Sequence, residues 1–412
     1  MRIAILGAGF TGLSAAYRLA QKGHSVTIFE KESAIGGLAT GFKKDNWDWT
    51  LENSYHHWFT NDFTVLKLAK EINYPVIINR PSTDIFVNGD IFKFDSPSSI
   101  LKFPYLSITE KIRLGLSLAF LKYNNNYKQF ENTKALPWLR QTVGNRETAL
   151  IWEPLFDGKF GKYKEDISLT WFWARIKKRT PALAYPVGGF RAFAEKLSKE
   201  IQSLGGEILL KTEINDLTKL KYFDKIIVTL PTPVFLKIAK NLPEDYISKY
   251  SKVPHLSALT LILVLKKPFL KSSYWLNIND RSFPFLALVE HTNFMDSDHY
   301  GGDHILYIGN YLPPDHPYFK MSAKKLLEVY IPYLQKISPN YQPSSGICRT
   351  NYQLFSQPFA QPIMTVGYKD QIPAFQTPLK DVFLANMDMI YPWDRGTNYA
   401  VEMGEKIVHN FF

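Results

Sequence analysis

The chain has 412 residues with 45% hydrophobic and 15% aromatic content, and a formal net charge of +11. That length exceeds one simple core and suits two interleaved domains, and the composition is that of a globular protein, not a disordered or fibrous one. A single cysteine, Cys348, excludes an intrachain disulfide and a cysteine-based metal site, and no run of 18 apolar residues is present for a membrane span.

Residues 2–6 read as a buried strand, and Gly7-Ala-Gly9-Phe10-Thr11-Gly12 as the tight turn into a helix. Gly7 makes the turn, Gly9 lets backbone approach a pyrophosphate, and Gly12 lets the helix pack closely. Phosphates then meet the positive helix N-terminus. A second strand from Gly23 ends at Glu30, 18 residues past Gly12, where a carboxylate receives ribose hydroxyls and repels a 2′-phosphate, which disfavours NADP. Lys31 follows, and then Gly36-Gly37-Leu38. Met1 stands directly before the first strand, so no signal peptide is expected, and a cytoplasmic location, peripheral to a membrane at most, is the expectation.

Glu52, Asn53, Tyr55, His56, His57 and Trp58 come next as candidates beside a reacting ring, with His56 and His57 as groups able to move a proton near neutral pH. Leu66–Ile72 reads as a helix, Thr83–Val87 as a strand closed by the Asn88-Gly89-Asp90 turn, and 109–123 and 138–156 as helices. The stretch 112–121 is expected to be a buried helix of the substrate domain, with dipping into a membrane interface as the alternative. The basic run Arg175–Arg179 raises affinity for anions, but no nucleic-acid-binding motif accompanies it.

Pro186-Val-Gly188-Gly189-Phe190 opens a helix to Leu204, and strands follow at 207–211 and 225–230. Strands at 257–265, 285–290, 304–310 and 346–352, with a helix at 322–337, read as an antiparallel sheet under a substrate cavity. The segment from Val382 is a strand, a glycine turn and a helix, containing Ala385-Asn386-Met387-Asp388 and Tyr391-Pro-Trp-Asp394-Arg395-Gly396-Thr397-Asn398, with Gly404 further on. A helix start with free N–H groups at 396–398 stabilises negative charge.

Taken together, the first forty residues and the C-terminal Gly396-x-x-x-Ala400-x-x-x-Gly404 resemble the flavin amine oxidase, protoporphyrinogen oxidase and phytoene desaturase superfamily. The resemblance implies an α/β fold. A doubly wound, glutathione-reductase-like, Rossmann-like FAD-binding domain (1–80, 186–250 and 378–412) would be interleaved with an α+β substrate domain carrying an antiparallel sheet (81–185 and 251–377). It implies non-covalent FAD held by Gly7, Gly9, Phe10, Thr11, Gly12, Glu30, Lys31, Gly36, Gly37, Leu38, Asp388, Arg395, Gly396, Thr397 and Asn398. Asn386 or Asp388 would replace the family's usual ribityl-contacting Asp. The catalytic candidates are His56, His57 and Tyr391, with Tyr391 and Trp393 as a wall over the flavin or as core packing, and no metal.

The function so implied is an FAD-dependent oxidase or desaturase taking a hydride from a small, largely apolar substrate. Oxygen, a quinone and a redox protein stay open as acceptors, and the oligomeric state is open. The alternative is a redox-neutral enzyme: Tyr55–Asp62 has some likeness to the His-x-Phe-His-Thr-Asn stretch of UDP-galactopyranose mutase. There His56 matches the first histidine and Phe59 replaces the second, with Arg175, Arg179 and Arg191 available to clamp a diphosphate. A non-catalytic flavoprotein ranks last.

Overall fold

The computed structural model describes residues 1–342 and 351–412, so Cys348 and the 346–350 part of the last expected substrate-sheet strand lie outside the described residues. Five parallel strands form one sheet in the order Glu207–Leu209, Ser25–Phe29, Arg2–Leu6, Lys225–Val228, Val382–Leu384. Near-continuous apolar runs such as Ile3–Leu6 are what a strand covered on both faces needs. The helix Phe10–Gln21 covers one face and packs against the last helix, Thr397–Phe411. This is the doubly wound α/β arrangement expected from the sequence.

A second sheet of seven strands runs Tyr352–Pro362, His255–Leu265, His304–Leu312, Ala287–Glu290, Ser273–Ile278, Ser82–Val87, Asp90–Lys93. It is antiparallel apart from the parallel pair Ser273–Ile278 and Ser82–Val87. The helix Ala323–Ile337 packs with this sheet in one apolar cluster. Helices between 97 and 178 bury a second one, around Phe103, Leu114, Trp152 and Trp171. Between the sheets, Leu183–Pro186 pairs with both Trp58–Phe59 and Val76–Asn79, a small three-stranded sheet that periodicity did not reveal.

Two helices depart from expectation. The stretch 138–156 is not one helix: Ala135–Thr142 stops before Gly144, whose φ of +123° only glycine adopts easily, and a widened turn at Thr148–Trp152 precedes Glu153–Phe160. The helix Ile108–Tyr123 is buried on one face only, through Leu114, Ser117 and Leu121. Ile108, Ile112, Leu116, Phe120 and Tyr123 on its other face are exposed. No helix among the described residues is long and apolar enough to cross a membrane.

Candidate functional site

The dinucleotide turn is built as its glycines require. A Cβ on Gly12 would stand 2.0 Å from the carbonyl oxygen of Gly7, and one on Gly37 would stand 3.0 Å from the Cα of Gly9. Neither a side-chain cap nor a first-turn acid occupies the N-terminus of Phe10–Gln21. The first helical bond is Leu13 N–H to Gly9, 2.9 Å, so the amides before it have no helical partner. Glu30 is buried at the end of its strand, where its carboxylate accepts from the Ala8 N–H at 2.8 Å and the Glu32 N–H at 2.9 Å. This cradle admits close backbone approach and fits a dinucleotide phosphate. Phe10 contributes packing, its ring stacked 5.7 Å from Phe193, and Lys31 points to solvent beside Glu32. The Leu38 carbonyl accepts from Gln357 Nε2 at 2.9 Å.

At the other end of the chain, Gly396 starts the last helix without a side-chain cap. Thr397 Oγ1 accepts from Trp58 Nε1 at 2.6 Å and Asn398 Oδ1 from Val65 N–H at 3.1 Å, which fixes both side chains and leaves their amides at the helix start. Gly404 lies further along the same helix. A Cβ there would stand 2.4 Å from Thr11 O, so it is the crossing point of the first and last helices.

Gly396–Asn398 open onto a cavity of about 390 Å³. That size suits a small molecule. The cavity lies between the 55–62 segment, the helices Glu153–Phe160 and Leu169–Lys178, and the antiparallel sheet. In strand His304–Leu312, Gly309 makes room for the Tyr55 ring, since a Cβ would meet Tyr55 Cε1 at 2.5 Å, and Tyr311, two residues on, shares that face. One part of the wall is aromatic, including Trp152, Phe156, Trp171 and Trp275. The rest is strongly cationic: Arg80, Lys159, Arg175, Lys178, Arg179 and Arg395 against the carboxylates of Asp62, Asp95 and Asp394.

His56 and His57 both line the cavity. The Ser54 carbonyl accepts from His56 Nδ1 at 2.6 Å, which leaves Nε2 of the neutral ring as an acceptor, and His57 Nδ1 lies 3.1 Å from the Tyr274 hydroxyl. Burial pushes His56 down to about 4, and burial with the fields of Arg179, His56 and Arg175 pushes His57 down to about 3. Proton exchange near neutral pH, expected from sequence, is therefore corrected: both rings are neutral there and only weakly basic.

Tyr391 is also corrected as a catalytic candidate. It does not line the cavity; its hydroxyl donates to Glu131 Oε1 at 3.2 Å and its ring packs on Tyr127 and Tyr368. Trp393 is core as well, stacked between Trp173 and Tyr399. Asp388 is turned away from the cavity, accepting from His255 Nε2 at 2.7 Å and Thr232 N–H at 2.9 Å. Asn386 donates to Leu230 O at 2.9 Å and caps Asp388 N–H at 3.1 Å. Both replacements for the ribityl-contacting Asp thus spend their side chains on holding the chain. Arg395 does line the cavity, held by Gln361 at 2.9 Å and by the Tyr311 hydroxyl.

Sequence reasoning missed Lys159, Tyr311 and the acid Asp62. Burial raises Asp62 to about 6, and its Oδ1 has no hydrogen-bond partner among the described residues, Lys178 Nζ standing 3.9 Å away. No motif marks Lys159 or Tyr311, and Asp62 only closes the Tyr55–Asp62 stretch. Arg175 and Arg179 line the cavity, whereas Arg191 lies elsewhere, paired with Glu195 at 2.9 Å. Glu52, fully buried, faces the other way: it accepts from Phe190 N–H and Tyr185 OH, both at 2.8 Å, and ties the 52–58 segment to the helix Phe190–Ser203.

Comparison with known proteins agrees with this geometry. A family profile described as flavin containing amine oxidoreductase matches residues 10–407. A 15-cis-phytoene desaturase from Synechococcus elongatus is 25% identical over 244 residues, 52% of this chain and 50% of that protein, so the match spans half of the relative's length. Among solved structures, a reduced UDP-galactopyranose mutase superposes with a TM-score of 0.77 at 15% identity, covering 99% of this chain and 93% of that one. A cyclohexylamine oxidase from Brevibacterium oxydans does so at 0.72 and 14%, covering 99% and 98%. At such identities these two likenesses show the fold.

Proposed function

The chain belongs to the flavin-containing amine oxidoreductase family, and from that membership we propose that it is an FAD-dependent oxidoreductase acting on a small molecule in the cavity at the start of the last helix. FAD, bound without a covalent link, would supply a hydride acceptor at its N5. Gly7, Gly9, Gly12 and Gly37 give its phosphates room, and Glu30 receives the ribose. The free amides at 396–398 hold negative charge at the ring. We keep the division 1–80, 186–250 and 378–412 for the cofactor and 81–185 and 251–377 for the substrate as part of the same reading.

The observation that carries it is the convergence of the uncapped helix start Gly396–Asn398 and the His56–His57 segment on one cavity. The aromatic wall packs the substrate's apolar part and excludes water. His56 and His57, neutral and half-buried, accept a hydrogen bond from the substrate beside the reacting bond. A second reading, a redox-neutral flavin enzyme, is favoured by Arg175 and Arg179, which meet in the cavity as a diphosphate clamp would need.

The reading extends to the surface. The exposed apolar face of Ile108–Tyr123 would rest on an anionic lipid bilayer, because residues 97–128 carry Lys102, Lys111, Arg113, Lys122 and Lys128 against a single acid, Glu110, already paired to Arg146.

The test is the visible spectrum of the purified protein, followed by heat release. Oxidised-flavin bands with free FAD in the supernatant are expected, and Gly12→Ala, whose methyl would collide with Gly7, should retain none. A protein that neither carries nor takes up FAD would sink both readings.

A further inference from the structure

Lys159 is the most unusual charge in the molecule. It is 8% exposed, lines the cavity, and no hydrogen bond or carboxylate partner meets its Nζ among the described residues. Its nearest company is aromatic, the Tyr311 ring centroid at 4.4 Å and that of Trp171 at 5.7 Å. Aromatic faces offset only part of what a buried ammonium loses on leaving water. Close by stand Arg395, held beside Tyr311, and Arg175, 3.1 Å from Asp394 Oδ2. Asp394 must serve all three cations. Arg179, on the same wall, has no carboxylate partner among the described residues.

Lys159, buried without a partner beside the half-buried Arg175 and Arg395 and the exposed Arg179, is offset only if something else brings negative charge. We infer that this end of the cavity is a binding site for a phosphoryl or diphosphoryl group of the substrate, with Lys159, Arg175, Arg179 and Arg395 as its donors. Six cations against three carboxylates leave room for a multiply charged oxyanion. Guanidinium forks match phosphate oxygens in pairs, and Lys159 adds a point charge. The phosphates of FAD do not account for it: Gly7, Gly9, Gly12 and Glu30, which cradle them, are absent from this cavity wall. The aromatic stretch would then hold the remainder of the same substrate. Burial, with Arg175 and Arg395, also holds the Lys159 ammonium well below the usual lysine value. An arriving phosphate would act in the opposite direction and favour the ammonium.

This assignment deepens the proposed function and rests on it for the reaction, though not for the binding. The experiment is calorimetric titration of the FAD-loaded full-length protein with inorganic pyrophosphate, with sulfate at equal ionic strength alongside. Wild type should bind pyrophosphate, and Lys159→Met and Arg179→Gln should each bind it about tenfold more weakly or worse, the loss of one charge-assisted contact. Lys159→Met should at the same time melt no lower than wild type without ligand, since it removes an unpaired buried charge and keeps the volume. That opposition of signs separates a binding role from a structural one.

Equal affinity in wild type and both variants, equal binding of sulfate, or no heat from wild type would overturn the assignment. The flavin spectrum of the same samples keeps the two ideas apart. A protein with intact FAD and no pyrophosphate binding loses only the phosphate site, whereas a colourless one loses the oxidoreductase reading.

Discussion

Glu52 shows how a single side chain near the site can govern stability without touching substrate. Burial raises its carboxyl to about 7, against the Phe190 N–H and Tyr185 hydroxyl bonds that lower it. Because the folded value lies above the unfolded one, the folded state holds the proton. Its stabilising contribution is complete below about pH 4.5 and is lost as pH rises toward 7. Glu52→Gln keeps the shape and the acceptor for Phe190 N–H while abolishing the ionisation. The variant's stability relative to wild type should therefore rise by about 2.5 kcal/mol between pH 5 and pH 8. Urea melts at the two pH values measure this, and a constant difference would mean that Glu52 does not titrate in that window. The cavity histidines run the opposite way. With folded values of about 4 and about 3, His56 and His57 add stability above pH 6.5 that is lost as acid is added. The identity of these residues was legible in the sequence, but their neutrality was not. It comes from burial and from arginines more than 115 positions away in the chain.

Among the elements, the helix Ile108–Tyr123 is the one whose pattern the sequence left ambiguous. Leu114, Leu118 and Leu121 recur on one side, and Ile108, Ile112, Leu116 and Phe120 at four-residue steps on the other, so an apolar segment of this kind reads equally as core or as interface. Tertiary packing decides which face is covered. Lys122 at its end reaches the carbonyls of Ile176 and Lys177 at 3.3 and 3.1 Å, which sets the exposed face beside the helix that lines the cavity. Sedimentation with phosphatidylglycerol vesicles should carry wild type into the pellet. The double change Ile112→Asp and Leu116→Asp should leave it in the supernatant with its melting temperature nearly unchanged, because both side chains already face solvent. Binding that survives the change, or that is as strong on neutral vesicles, would refute a lipid contact. The break in 138–156 has a similar lesson. Helical periodicity crosses Gly144, and only the left-handed backbone there shows that the chain turns.

At the scale of the whole molecule, the cofactor end was readable because its chemistry demands glycines at fixed spacing. The substrate end was not, since Lys159, Arg175, Tyr311 and Arg395 are drawn from four separate segments and no spacing rule joins them. The two helix starts proposed to hold the cofactor also come from opposite ends of the chain. They are brought together by one crossing: Gly404 lies against Thr11 and Ala15, and Ser14 Oγ donates to Val401 O at 3.0 Å. A side chain at 404 must push these helices apart. Gly404→Val should therefore lower stability by about 1–3 kcal/mol, the usual cost of overpacking, and weaken FAD at the same time, because the phosphate cradle and the 396–398 amides would no longer keep their spacing. Saturating FAD should restore part of the lost melting temperature, since a ligand that binds only the folded state stabilises it by about 2.7 kcal/mol at a hundred times its Kd. Thermal melts with and without added FAD, together with a fluorescence titration of the cofactor, read both effects. A lowered melting temperature with unchanged FAD affinity would mean that the crossing only packs the fold. A fall in both would show that joining the two ends of the chain is what sets the cofactor's length.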